Sequence, residues 1–250
     1  MATAAKKTEV AVAATQSVLA FSQETPDYMN QGAARGSEGV RSSDMLLPRL
    51  ELVQALSPIK ETNPDIKEGN LFNSVTGEVY GDMTYFVPVF FKMEFLVWRA
   101  QDQGGGFLGS FPTRAEADER RMQAISDGEN PEYIEIVDTP VQYGMRITPD
   151  GHHEQIVISM AKTKAKVSRK WNAIIQIAGG DRFSRVYKVS SFKDENKKGQ
   201  KFYNFVVQPA GFTPKAIYNE AERLYQMFKT EDVRVAHDMI DPSDSDRGEV

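Results

Sequence analysis

Period-two hydrophobicity dominates the chain from about residue 70 to residue 208. MTYFVPVFFKMEFLVWRA (83–100) is aromatic and β-branched throughout, with Met93, Phe95 and Val97 on one side of an alternation and Lys92, Glu94 and Trp98 on the other. That pattern predicts a strand. Pro88 lacks the N–H a ladder needs, so it requires a bulge or an edge position. Further strands are predicted at YIEIV (133–137), VQYGMRI (141–147), EQIVISM (154–160), RFSRVYKVSSF (182–192) and KFYNFVVQ (201–208). FNSVTGEVYG (72–81) carries hairpin turn chemistry at Thr76-Gly77, and Thr148 to Gly151 is a second turn signal. DENKKGQ suits an exposed tip between the last two strands.

Helical patterning interrupts the strands at three places. In FPTRAEADERRMQAI (111–125), Thr113 and Glu116 stand at capping-box spacing before a strongly polar helix. SRKWNAIIQIAGG (168–180) reads as a helix with Ser168 as N-cap and Gly179-Gly180 as its stop. Thr213-Pro214 opens the last helix, on which Ile217, Ala221, Leu224, Tyr225 and Phe228 share one face. MLLPRLELVQALSP (45–58) is extended at Pro48 and otherwise open between strand and helix; GGGF (104–107) reads as a loop. Residues 1–43 lack a sustained period and are expected to form a flexible arm, 44–230 a single β-rich domain with a C-terminal helix, and 231–250 an acidic disordered tail.

Strands that come in hairpins, with helices between groups of them, predict a mainly β (α+β) fold: an OB-like antiparallel β-barrel or curved sheet with flanking helices. Composition agrees with a packed domain, at 40% hydrophobic and 26% charged residues over 250 positions. With no cysteine, disulfide scaffolds, thiol nucleophiles and cysteine-bound metals are excluded. No apolar run approaches the roughly 20 residues of a membrane span, and the N-terminus makes a poor secretory signal. A soluble intracellular protein is expected.

Charge changes the picture most. The chain carries 30 Lys/Arg against 35 Asp/Glu, for a net -5, yet residues 162–204 hold 12 Lys/Arg against 3 Asp/Glu. An acidic protein therefore has a basic middle, and counterion release at phosphates depends on such local density more than on net charge. In an extended chain Lys162, Lys164 and Lys166 would project from one face, about 6–7 Å apart. Arg169, Lys170 and Trp171 follow at the proposed helix start, where free backbone N–H groups favour an anion. Arg182, Arg185 and Lys188 continue the window, with Tyr187 and Tyr203 interleaved and Trp98 on a separate strand. Cationic grooves with aromatic faces suit single strands, whose bases stack with little sequence preference.

Plainer readings stand beside this one. A lysine run suits a solvated face, and Trp171, Phe183 and Phe205 suit a core better than a stacking platform; Tyr187 and Tyr203 fit either. The tail, with 7 Asp/Glu against 2 Lys/Arg in 231–250, suits either a solubilising end or a segment that covers the groove and recruits replication proteins. Enzyme chemistry finds no support. His152 and His153 are adjacent and would point to opposite faces of a strand, GGGF and AGGD lack the rest of a phosphate-loop motif, and Glu94, Glu135 and Asp138 are scattered. Neither a cofactor nor a metal is expected.

LPRLELVQALSP (47–58), LFNSVTGEVYGD (71–82), KVSRKWNAII (166–175), GGDRFSRVYKVSS (179–191) and KKGQKFYNFVVQPAGF (197–212) resemble a group of tailed-bacteriophage proteins found among replication and recombination genes and regarded as single-stranded DNA-binding proteins. The resemblance covers about 45–229. It implies an OB-like barrel acting in phage DNA replication or recombination in the cytoplasm of an infected bacterial host, with Lys166, Arg169, Lys170, Trp171, Arg182, Arg185 and Lys188 at the matched positions. Such binders often end on an aromatic residue, whereas this chain ends GEV. The expected function is non-catalytic, sequence-tolerant binding of single-stranded DNA, through about four or five phosphates and a log-log salt slope near -3 to -3.5. Two rivals remain: a virion or assembly protein, which predicts large oligomers without nucleic acid, and a metal-dependent recombination or nuclease enzyme, which predicts Mg²⁺-dependent turnover.

Overall fold

The computed structural model describes Gly36 and residues 47–100, 105–148, 151–196 and 199–230. The acidic tail, and the N-terminal arm apart from Gly36, lie outside the described residues. All the elements below belong to one unit, Arg41–Val250. In chain order they are β1 (Leu50–Leu52), α1 (Ile59–Thr62), β2 (Leu71–Asn73), β3 (Val79–Gly81), β4 (Met83–Arg99), β5 (Gly106–Phe111), α2 (Arg114–Ser126), β6 (Ile134–Ile147), β7 (His153–Ser159), α3 (Lys164–Ala178), β8 (Arg185–Glu195), β9 (Lys201–Phe212) and α4 (Lys215–Thr230). Short 3-10 turns at Pro131–Tyr133 and Arg182–Ser184 lead into β6 and β8.

β4 is the spine of a six-stranded antiparallel sheet ordered β7-β6-β4-β8-β9. It pairs with β6 from Tyr85↔Ile147 to Arg99↔Ile134, with a register shift between Pro88 and Phe90, so the proline sits at a bulge as its missing N–H requires. The other edge of β4 is shared: β8 takes Met83–Phe86 and β5 takes Phe95–Arg99. A three-stranded antiparallel sheet, β1-β2-β3, accounts for the hairpin at Thr76-Gly77.

The expected OB-like barrel or strongly curved sheet is not what forms. β7 and β9 end opposite sides of the large sheet and do not pair, so the architecture is a mixed α/β arrangement of two open sheets with helices. Residues 48–54 meet the outer strands instead. Val157 on β7 donates to the Pro48 carbonyl at 2.9 Å. On β9, the Gln54 side chain both donates to the Tyr203 carbonyl and accepts from its N–H, each at 2.8 Å, as a neighbouring strand would. Backbone groups that barrel closure would have paired are thus satisfied by a segment from outside the large sheet.

Alternation along the strands feeds two separate core layers. On one face Phe86, Ile156, Ile158, Val189 and Phe205 meet Leu50, Leu52 and Leu71 from the small sheet and Trp171 from α3. On the other, Val87, Val89, Tyr143, Met145 and Val157 meet Ile217, Ala221, Leu224 and Phe228 of α4, the apolar face expected of that helix. α2 covers the far end of β4 with Ala117 and Ala124, which pack on Val97 and Ile134. Its Thr113 hydroxyl accepts from the Glu116 N–H at 3.3 Å, as the capping spacing predicts.

Four local expectations need correction. YIEIV and VQYGMRI are one continuous strand, β6. The end of GGGF is strand, since β5 starts at Gly106. α4 begins at Lys215, and the Thr213 hydroxyl donates to the Phe183 carbonyl at 2.7 Å. Finally, KTKAK is not extended: α3 starts at Lys164, with Thr163 as an N-cap that makes no side-chain cap bond.

Candidate nucleic-acid interface

α3 places the basic segment, and helical geometry replaces the lysine row with a different grouping. At 100° per residue Lys164 and Lys166 diverge, whereas Lys166, Arg169, Lys170, Ala173 and Ile177 fall on one outward stripe. All five are exposed. The inward face carries Val167, Trp171, Ile174 and Ile175, which bind the helix to the core through Phe86, Ile158 and Phe205.

The first two turns of α3 hold four cations, Lys164, Lys166, Arg169 and Lys170, and the first turn has no acidic residue. Like charges at i,i+3 and i,i+4 destabilise a helix by about 0.2–0.5 kcal/mol per pair, and cations at the positive N-terminal end of the dipole add about 0.3–1 kcal/mol. Among the described residues Lys166, Arg169 and Lys170 have no carboxylate partner. The fold thus holds an uncompensated positive patch at this helix end.

The other cations of the window have different surroundings. Lys162, in a left-handed conformation with φ 50°, precedes the helix and pairs with Glu135 of β6 at 3.6 Å. Lys164 is half-buried, its ammonium 5.8 Å from the Phe205 ring centre. Lys188 is half-buried within β8, between Tyr85 and Gln208. Arg182 reaches inward from its 3-10 turn across Phe91, and donates to Gln142 Oε1 of β6 and Asn172 Oδ1 of α3. Gln142 in turn donates to the buried Ser168 hydroxyl at 3.0 Å. Burial pushes the Arg182 guanidinium down to about 10, so it stays charged at neutral pH without a carboxylate beside it.

The aromatic expectations are corrected in part. Trp171 and Tyr187 are both 0% exposed and meet edge-on, with ring centres 5.5 Å apart, while Phe86 closes the other side of Trp171 at 5.6 Å. A ring without an exposed face cannot stack on a base. Burial raises the Tyr187 phenol, opposed by the charges of Arg185 and Arg182. Tyr203 lies in the seam with the small sheet: its ring comes so close to Gly69, whose φ is +85°, that a Cβ there would sit 2.5 Å from it. Trp98 packs on Phe107 at 4.9 Å near the end of β4. Twelve residues of strand, roughly 40 Å, separate it from Phe86.

Phe212 was missed. Its ring is 74% exposed at the end of β9, and the Arg185 guanidinium lies 4.6 Å from its centre. Arg185 also donates to the Ala178 carbonyl at 3.4 Å, so one arginine bridges the Phe212 ring and the C-terminal end of α3, where Ile177 is 86% exposed. The missed partners Gln142 and Asn172 lack any local sequence signal, because the contacts that recruit them come from elements distant in sequence; Ser168, expected as the N-cap, lies buried within α3 and accepts from Gln142 instead.

Among the described residues no group of three or more His, Asp or Glu is placed to hold a metal, and no helix is long and apolar enough to cross a membrane. Two clefts, of about 400 and 470 Å³, lie away from the basic window, beside the β2–β3 turn and beside Arg99 and Glu129.

A mixed α/β domain with one uncompensated cationic helix face defines a class only. The particular relationship comes from the sequence: residues 13–234 match the Pam3 phage gp34-like protein family, and the chain belongs to it. The phage association is therefore shown, and it is the coarser part of the resemblance noted above. No curated protein and no solved structure matches.

Proposed function

We propose that this protein is a non-catalytic binder of single-stranded DNA in phage replication or recombination, and that the strand runs along the outward stripe of α3. One observation carries the reading: among the described residues Lys166, Arg169 and Lys170 stand exposed and unpaired at a helix end where the backbone is already positive. From Lys166 to Ile177 the stripe spans about 16 Å, roughly the reach of three nucleotides. Phosphates meet the cations at one end, and the Phe212 ring, backed by Arg185, offers a stacking face at the other. The barrel groove has no part in this mechanism, and neither does stacking on Trp171 or Tyr187.

Fewer free cations lower the expected salt dependence. With about three phosphates neutralised, log affinity falls with log salt at a slope near -2. The buried position of Trp171 makes tryptophan quenching a poor reporter, so the experiment is anisotropy of a labelled oligothymidylate over a salt series. Binding with that slope supports the proposal; no binding at low salt ends it.

A second reading rests on exposed apolar groups. Ile177 and Phe212 suit a protein neighbour in a virion or assembly intermediate. That reading predicts large oligomers in light scattering without nucleic acid, where the first predicts a salt-sensitive complex only with it.

A further inference from the structure

α3 is attached to the large sheet in two ways. Its apolar face, Val167, Trp171, Ile174 and Ile175, packs on Phe86, Ile158 and Phe205. Burial of that kind is non-directional, so it fixes how deep the helix sits better than how far it is turned about its axis. Directional bonds come from one flank. Ser168 and Asn172 stand four residues apart and share the side of α3 that lies between the buried face and Arg169. Gln142 of β6 donates from Nε2 to the Ser168 hydroxyl at 3.0 Å and to Asn172 Oδ1 at 3.2 Å. Arg182 joins the two elements, donating from Nη2 to Asn172 Oδ1 at 2.6 Å and to Gln142 Oε1.

Each bond constrains the next. Asn172 Oδ1 meets two donors, so its amide cannot turn over without setting nitrogen against nitrogen. Gln142 is held at both ends, Oε1 on the guanidinium and Nε2 on α3. Gln142 and Ser168 are buried, so a rotation of α3 that carried Ser168 and Asn172 away from β6 would leave a buried amide unpaired. Arg182 reaches this clamp from the 3-10 turn before β8, its guanidinium 5.5 Å from the Phe91 ring centre. The helix so oriented carries Lys166, Arg169 and Lys170. Arg169 adjoins Ser168 and stands one turn before Asn172, so it is the cation tied most closely to the clamp.

We infer that Arg182 is a positioning residue for single-stranded DNA: with Gln142 it fixes the rotation of α3 that sets Lys166, Arg169 and Lys170 toward the strand, and it does not touch the phosphates itself. The inference rests on the function proposed above. It separates two arginines of the basic window that charge alone treats alike. Arg169 meets the strand, and Arg182 acts through the helix that holds Arg169.

Anisotropy of labelled oligothymidylate is measured on the full chain at about 50 mM salt, beside denaturant unfolding of each variant, with affinity referred to the folded fraction. Gln142 is the decisive position, because a neutral side chain buried beneath α3 cannot reach a bound strand. Arg182→Gln and Gln142→Leu are each expected to weaken binding about five-fold, and the double variant no further, since either change opens the same clamp. Ser168→Ala takes one acceptor from Gln142 and serves where Gln142→Leu does not fold; about a two-fold loss is expected, with none added to that of Arg182→Gln. A loss with Arg182→Gln that folded Gln142→Leu or Ser168→Ala does not share would make Arg182 a phosphate contact and overturn the inference. Losses that multiply in the double variant overturn it in the same way. Folded variants that all bind as wild type does overturn it too, leaving the clamp a role in stability alone. Wild-type protein that binds no oligothymidylate sinks the proposed function and this inference together, whereas tight wild-type binding with unaffected variants sinks the inference only.

Discussion

Among the described residues α3 and α4 are the two longest helices, each packed on one face of the large sheet, and they treat charge in opposite ways. α4 mixes signs: Arg223 pairs with Glu220 at 3.0 Å, Gln226 bonds Glu222 at 2.8 Å, and Lys229 lies in the last turn, where the dipole welcomes it. α3 has no Asp or Glu between Lys164 and Ala178, and its cations crowd the first two turns, where the dipole opposes them. Inward faces are alike, since Trp171 on one and Phe228 on the other are each almost wholly buried. The two helices share a means of attachment, then, and differ in what they present to solvent. Under the proposed function, the three cations that α3 leaves exposed, Lys166, Arg169 and Lys170, are the ones that meet the phosphates of a bound strand.

The largest effects should come from the faces that are alike. Trp171→Ala and Phe228→Ala are each expected to lose about 3–5 kcal/mol of stability in denaturant unfolding, as truncated core aromatics do. A loss under 1 kcal/mol for Trp171 would mean that α3 is not packed as described. A smaller effect separates the helices. Lys166→Glu puts an acid in the first turn of α3 and is expected to stabilise the protein by about 0.3–1 kcal/mol while weakening oligonucleotide binding. Stability and binding that fall together would contradict an uncompensated patch. Smallest of all is Arg223→Ala on α4, an exposed i,i+3 pair expected to matter by less than about 0.5 kcal/mol, with no change in binding.

Local chemistry made much of the fold legible in the sequence. The aromatic and β-branched run of β4, the bulge at Pro88, the Thr113 cap and the apolar face of α4 were all readable, because each is decided within a few residues. Closure was not, because whether β7 meets β9 depends on pairing across the whole chain, and Gln54 occupies the Tyr203 backbone from 149 positions away. KTKAK misled because a period of two in lysines was read as strand; the apolar positions Val167, Trp171, Ile174 and Ile175 already carried the helical period back toward Lys164. β5 was hidden by its glycines, one of which, Gly109, lies so close to Phe111 that a Cβ there would sit 2.8 Å from its ring. At the candidate site, charge counting located the basic window but gave every cation the same weight. Burial divides them: Lys166, Arg169 and Lys170 face outward, while Arg182 turns inward to Gln142, 40 residues away.

The most direct test of the central claim compares the two helices in one assay. Lys166, Arg169 and Lys170 of α3 are replaced together by Ala, and separately Lys215, Arg223 and Lys229 of α4, with anisotropy of labelled oligothymidylate measured from about 50 to 200 mM salt. Both variants remove three cations, so net charge changes equally. The predicted result is at least a ten-fold loss of affinity, about 1.4 kcal/mol, and a nearly flat salt dependence for the α3 variant, with the α4 variant close to wild type. Equal losses from both, or none from either, would contradict the assignment of binding to α3.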